Sequence, residues 1–258
     1  MNQTDIDTPA ARAVVIHPDP AALYQATAAR LLLALLDAQS VRRPVHVAIA
    51  GGSVGSGVLA AATSSPLRDI VDFTGVHLWW VDERFVEAGS ADRNDQQAAQ
   101  FCAEVGLEAA QVHAMPSSDS IGDIDAAAHW YSGQMARFAE SGQPLVFDII
   151  LLGMGPDGHV ASLFPGHSTL AATTPVVVEQ DSPKPPPRRL SLTFPVLNAA
   201  RQVWLVVAGP EKAYPVTQAL QGGSLPAARV GGHELTLWLL DAAAAGQPST
   251  ANRASGRN

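Results

Sequence analysis

Cysteine is nearly absent: Cys102 stands alone among 258 residues. That excludes a disulfide scaffold and a cysteine-based zinc site, and it calls for no oxidising compartment. Lysine is almost as scarce. Of 16 Lys and Arg residues only Lys184 and Lys212 are lysine, which makes each a candidate for a specific task. Positive charge is short overall, the formal net charge being −8, and this argues against a nucleic-acid partner, whose binding needs a basic surface to release counterions. An acidic chain that binds an anion must gather its few cations in one place. Apolar runs such as residues 31–36 are far too short to span a bilayer. The first twenty residues lack the basic and apolar regions of a signal peptide. The expectation is a soluble, cytoplasmic protein with no membrane partner, its oligomeric state left open between monomer and weak dimer.

Apolar residues are plentiful, at 47% against 16% charged, which excludes disorder. A chain of this length buries roughly three quarters of its unfolded surface and needs neither disulfide nor metal to hold a core. Strands are expected over residues 13–17, 45–50, 76–81, 147–152, 176–179, 190–194, 203–208 and 234–240. Helices are expected over 20–39, 55–62, 94–104, 123–140 and 211–220, the first opened by Asp19 as N-cap before Pro20. Residues 147–152 are continuously apolar, as in a strand buried on both faces of a parallel sheet. The alternation reads as α/β: an open, doubly wound, mostly parallel sheet flanked by helices. One domain is expected over 1–245, with a small, polar, disordered tail at 246–258. Residues 182–187, rich in proline, must be an extended loop.

Ligands of open α/β sheets bind beyond the carboxyl ends of the strands, and three motifs occupy such positions. Gly51-Gly52-Ser53 can cradle a phosphate with N–H groups at a helix N-terminus. The same stretch also reads as a plain tight turn, as the G-x-S-x-G elbow of a serine hydrolase over 51–55, or as a G-x-G-x-x-A dinucleotide fingerprint over 55–60. The elbow lacks an oxyanion segment of the HGGG type, and the fingerprint lacks an acid about 20 residues on. Asp82-Glu83-Arg84 is either a solvated strand end with a local ion pair or a guanidinium fork aimed at an anion. In residues 153–159, Gly153 and Gly155 permit unusual backbone shapes while Asp157 and His159 lie two apart. An Asp beside a His fixes its tautomer and leaves the other nitrogen as a general base near neutral pH. The alternatives are a helix-capping His and a metal site of Asp157, His159 and His167, although no spacing matches a known metal motif.

Residues 147–166, from Phe147-Asp148-Ile149 through Gly155-Pro156-Asp157-Gly158-His159 to Phe164-Pro165-Gly166, resemble the central signature of the 6-phosphogluconolactonases. Four more stretches agree in order: Ala50-Gly51-Gly52-Ser53; Asp82 to Val86 with Asn94; 182–187 with 189–193; and Leu197 to Arg201 leading to Gly209-Pro210-Glu211-Lys212-Ala213. The likeness spans about residues 13–240. It implies a modified Rossmann-like fold of the sugar-phosphate isomerase type. It also implies hydrolysis of 6-phospho-D-glucono-1,5-lactone in the oxidative pentose phosphate pathway, with a small sugar-phosphate lactone as the partner and no cofactor or metal. By this resemblance His159 activates water, Asp157 orients it, and Arg84 binds and polarises the substrate. Gly51, Gly52, Ser53, Asp82, Lys184, Arg189 and Lys212 are the substrate- and phosphate-binding candidates. The chain departs from the family's pattern at Val54-Gly55, where Thr-Pro is usual, and at Glu87, Ser90 and Arg93, which makes Arg93 a candidate replacement cation for a usual histidine. The rivals are an amino-sugar-phosphate deaminase/isomerase, a non-catalytic sugar-phosphate sensor and a serine esterase.

Overall fold

The computed structural model describes residues 11–140 and 143–247. Seven strands form one parallel sheet in the order β1-β10-β9-β6-β2-β3-β5. They are β1 (Ala11–His17), β2 (Val45–Ile49), β3 (Val76–Trp80), β5 (Val112–His113), β6 (Ile149–Leu152), β9 (Gln202–Val207) and β10 (Leu235–Asp241). The helices are α1 (Pro20–Val41), α2 (Gly52–Ser64), α3 (Asn94–Glu104), α4 (Ile124–Arg137), α5 (Phe194–Asn198) and α6 (Ala213–Leu220).

Strand periodicity builds two cores. Val45, Val47 and Ile49 of β2, with Ile149 and Leu151 of β6, face one side and pack with Leu23, Leu31, Leu32 and Leu35 of α1 and with Val58 and Leu59 of α2. Ala48, Ile150 and Leu152 face the other side, against Ala127, Tyr131 and Met135 of α4 and Val216 and Ala219 of α6. The continuous apolar run of β6 is thus explained by burial on both faces. By length and composition α1 could cross a membrane; its leucine face instead closes the first core, the pattern of an internal helix.

A second, three-stranded antiparallel sheet lies beyond the carboxyl ends, in the order β4-β8-β7, from β4 (Asp82–Arg84), β7 (Val176–Glu179) and β8 (Arg189–Leu192). The sequence pattern indicated two of these strands but neither β4 nor their separate sheet. The strand expected to run through Phe194 stops at Leu192, since Thr193-Phe194-Pro195 opens α5 with proline in its first turn. Helix α2 begins at Gly52, three residues earlier than expected. Of the expected tail, 248–258 lie outside the described residues, while Gly246 closes a turn after β10 by donating to the Ala243 carbonyl.

Candidate active site

The order of strand addition reverses between the parallel neighbours β2 and β6. After β2 the chain adds β3 and β5 on one side, then returns to β6 and adds β9 and β10 on the other. The crevice at such a switch point is where open α/β sheets bind ligands. It holds a cleft of about 290 Å³ lined by Gly51, Gly52, Ser53, Asp82, Arg84, His159, Lys184, Arg189 and Lys212, together with Asn94 and Glu211. A larger groove, about 720 Å³ between α2 and α3, has no histidine or lysine in its walls, and its Arg68 already lies 3.3 Å from Glu104. The candidate site residues therefore gather at the smaller cleft.

His159 Nδ1 lies 2.5 Å from Asp157 Oδ1. The turn that makes this contact is built for it: Gly155 donates to the His159 carbonyl at 2.9 Å. A Cβ on Gly155 would stand 2.1 Å from His159 Nδ1 and 2.5 Å from Asp157 Oδ1, so only glycine leaves room for the pair. Burial pushes the Asp157 carboxyl up, but the hydrogen bond and charge of His159 outweigh it and bring the carboxyl down to about 2. Asp157 is thus ionised and acceptor-only, which places a proton on Nδ1 and leaves Nε2 as the basic atom. His167, the third member of the metal alternative, turns to Glu179 at 2.9 Å.

The antiparallel sheet brings the cations in. The register sets Arg84 of β4 opposite Arg189 of β8, a like-charge pairing that repels until an anion lies between or beside the two. Arg84 donates to the Asp92 carbonyl through one terminal nitrogen, while its Nε is buried with no partner. Arg189 holds the proline-rich loop by donating to the Pro186 carbonyl at 3.1 Å and the Lys184 carbonyl at 2.8 Å. That places Lys184 on the cleft wall. Lys212 follows β9, its Nζ 3.8 Å from Glu211 Oε1, and burial lowers its pKa. Four cationic side chains thus line the cleft against the carboxylates of Asp82 and Glu211, in a protein of net charge −8. Asp82 is committed internally, accepting from Ser162 Oγ at 2.7 Å.

At the glycine turn Gln97 Oε1 accepts from Gly52 N–H at 2.9 Å and Ser56 Oγ at 3.1 Å. The first N–H groups of a helix have no intrahelical partner, so with Gly52 satisfied, those of Ser53 and Val54 are the ones to offer a ligand. Gly51 packs on Asn94, whose Oδ1 would lie 1.9 Å from a Cβ there. Among the described residues no hydrogen bond joins Ser53 to His159, so the elbow motif finds no base.

One candidate is corrected. Arg93 is 1% exposed and points away from the cleft. It donates to the Met115 carbonyl at 2.6 Å and to Asp95 at 2.8 Å, because a guanidinium entering this interior is stable only where carboxylate and carbonyls await it. Conversely, motif reasoning assigns no role to Gln97, to Glu83 within the Asp82-Glu83-Arg84 stretch, or to Ser162 within the 147–166 signature. Their tasks are contacts across 45, 11 and 80 residues respectively, for which the sequence carries no local signal.

Residues 18–238 match the family model described as "Glucosamine-6-phosphate isomerases/6-phosphogluconolactonase". The chain is 45% identical over 251 residues to the 6-phosphogluconolactonase of Streptomyces coelicolor, covering 93% of this chain and 95% of the relative. It is 42% identical over 241 residues to that of Mycobacterium tuberculosis, covering 90% and 96%. Among solved structures, 6-phosphogluconolactonase from Trypanosoma brucei superposes with a TM-score of 0.80 at 25% identity, over 93% of this chain and 98% of that one.

Proposed function

The chain belongs to the glucosamine-6-phosphate isomerase/6-phosphogluconolactonase family, and we propose that it hydrolyses 6-phospho-D-glucono-1,5-lactone to 6-phospho-D-gluconate, the lactone-opening step of the oxidative pentose phosphate pathway. The observation that carries this reading is one cleft that joins a carboxylate-oriented imidazole to a cluster of cations. Opening a lactone with water is acyl transfer. It needs a base to take the water's proton, a positive or N–H-rich place for the oxyanion, and a proton for the departing ring oxygen.

His159 Nε2 removes a proton from water as oxygen attacks C1. Asp157 holds the imidazolium through Nδ1–H, and the proton then passes from Nε2 to the ring oxygen as the C1–O bond breaks. Arg84, whose side chain lines the cleft, is the donor for the oxyanion. Lys212, Ser53 and the N–H groups of the α2 N-terminus hold the 6-phosphate, with Lys184 and Arg189 adding positive charge. The phosphate is remote from the reacting carbon, so binding it raises effective molarity and lowers KM. We read the enzyme as cytoplasmic and its partner as this small molecule alone.

The test compares acid release from 6-phosphogluconolactone and from unphosphorylated gluconolactone, alongside ammonia release from glucosamine 6-phosphate. The account expects kcat/KM about 10³-fold higher with the phosphate than without, for roughly 4 kcal/mol of charge-assisted contacts, and no ammonia. Equal rates on both lactones, or ammonia release, would overturn it.

A further inference from the structure

Glu83 is a buried carboxylate that the reaction does not touch. It is 1% exposed and lies on β4 between Asp82 and Arg84. Its Oε1 accepts the backbone N–H groups of Arg84 and Asn94, each at 2.8 Å, and its Oε2 accepts that of Asp95 at 2.9 Å. The Arg93 guanidinium stands 3.8 Å from Oε2. Burial pushes this carboxyl up to about 7 despite those N–H groups and the arginine, so holding it here costs stability that an apolar side chain would not.

The positions of the three N–H groups show what that cost secures. Asn94 and Asp95 are the first two residues of α3, whose amides have no intrahelical partner and form the positive end of the helix. The third amide is Arg84's own. The tip of Arg84 is fixed to the same turn by its bond to the Asp92 carbonyl, and Asn94 Nδ2 donates to the Asp82 carbonyl at 2.8 Å. Arg84 is therefore anchored at its base and its tip to one segment, residues 92–95, and Glu83 is the joint.

We propose that Glu83 is a positioning residue for Arg84, its carboxylate welding β4 to the N-terminus of α3 so that the guanidinium stands at the reacting end of the substrate. The inference rests on the lactonase reading, in which the product's C1 carboxylate meets Arg84 and its phosphate does not.

The test is a binding cycle by calorimetry with two ligands, 6-phosphogluconate and inorganic phosphate, on wild type, Glu83→Gln, Arg84→Ala and the double variant. A glutamine turns one acceptor into an NH₂ that confronts an N–H. The Kd for 6-phosphogluconate should rise about tenfold in Glu83→Gln, in line with one lost charge-assisted contact. It should rise no more than about twofold when the same change is made in Arg84→Ala, because the residue it positions is already gone. The Kd for inorganic phosphate should stay within about twofold in Glu83→Gln. If Glu83→Gln does not fold, Glu83→Asp, which withdraws the charge by one methylene, goes through the same cycle. Equal rises in both Arg84 backgrounds, or equal rises for both ligands, would mark a merely structural role and overturn the proposal. Wild type that fails to bind 6-phosphogluconate would overturn the lactonase reading itself and this inference with it.

Discussion

Replacing Gly155 with alanine asks whether the exact seat of the imidazole sets the rate. The new Cβ would lie 2.1 Å from both Cε1 and Nδ1 of His159 and 2.5 Å from Asp157 Oδ1. Unbonded carbon and nitrogen settle near about 3.5 Å, so the ring must retreat by roughly 1.4 Å or swing off Asp157. A misplacement of about 1 Å costs on the order of 10²-fold in rate, equivalent to about 2.7 kcal/mol of barrier. Gly155 is not among the glycines with positive φ, so alanine meets little backbone strain and the damage is confined to this contact. With freshly prepared lactone and correction for spontaneous opening, kcat should fall about 10²-fold while KM stays within about threefold. The thermal midpoint should drop by no more than a few degrees. A kcat within threefold of wild type would refute the claim that this turn fixes the base, and a loss carried wholly by KM would move His159 into binding.

Other outcomes follow from the same geometry. Lys212→Ala should raise KM by about 10- to 100-fold with kcat nearly unchanged, and an equal loss of kcat at constant KM would contradict its phosphate role. Arg93→Met should cost about 3–5 kcal/mol in urea unfolding, because Asp95 and Glu83 lose their buried partner. It should leave the affinity for inorganic phosphate unaltered; weaker phosphate binding at unchanged stability would return Arg93 to the cleft. His46, buried on β2 and accepting from Trp79 Nε1 at 3.1 Å, is pushed down to about 4, first by burial and then by His77. The native state therefore keeps it neutral while the unfolded chain takes up a proton below pH 6.5, so its contribution to stability is lost as pH falls, by about 2 kcal/mol at pH 5. Glu83, held high, acts in the opposite sense over the same range. The measure is thus the difference between wild type and His46→Gln in urea unfolding at pH 7 and pH 5, and parallel curves would refute it.

How much of this was legible in the sequence depended on distance along the chain. The ends of β2 and β6 announce themselves, because apolar runs stop at glycines whose backbone freedom the next turn needs. The Asp157–His159 pair is equally local. The two scarce lysines, Lys184 and Lys212, both stand on the cleft wall. What was not legible is long-range. Three-residue β4 is a strand only because it meets β8, Asp82 opposite Ser191, and no periodicity can show in so short a run. Arg93 looked like a free cation beside Asn94; its fate is decided by the Met115 carbonyl and Asp95. Gln97 bears no motif at all, and Glu83 sits inside the Asp82-Glu83-Arg84 stretch without its task showing there, since each acts on backbone amides that only the folded chain brings near.

The central claim is that His159 is the base of a lactone hydrolysis. Its most direct measurement is acid release from freshly made 6-phosphogluconolactone, followed without protein, with wild type and with His159→Ala. The account predicts fast wild-type hydrolysis that falls in the variant to near the spontaneous rate, a loss of at least about 10³-fold. Wild type indistinguishable from background would contradict the lactonase reading, and turnover that survives the substitution would remove His159 from its role.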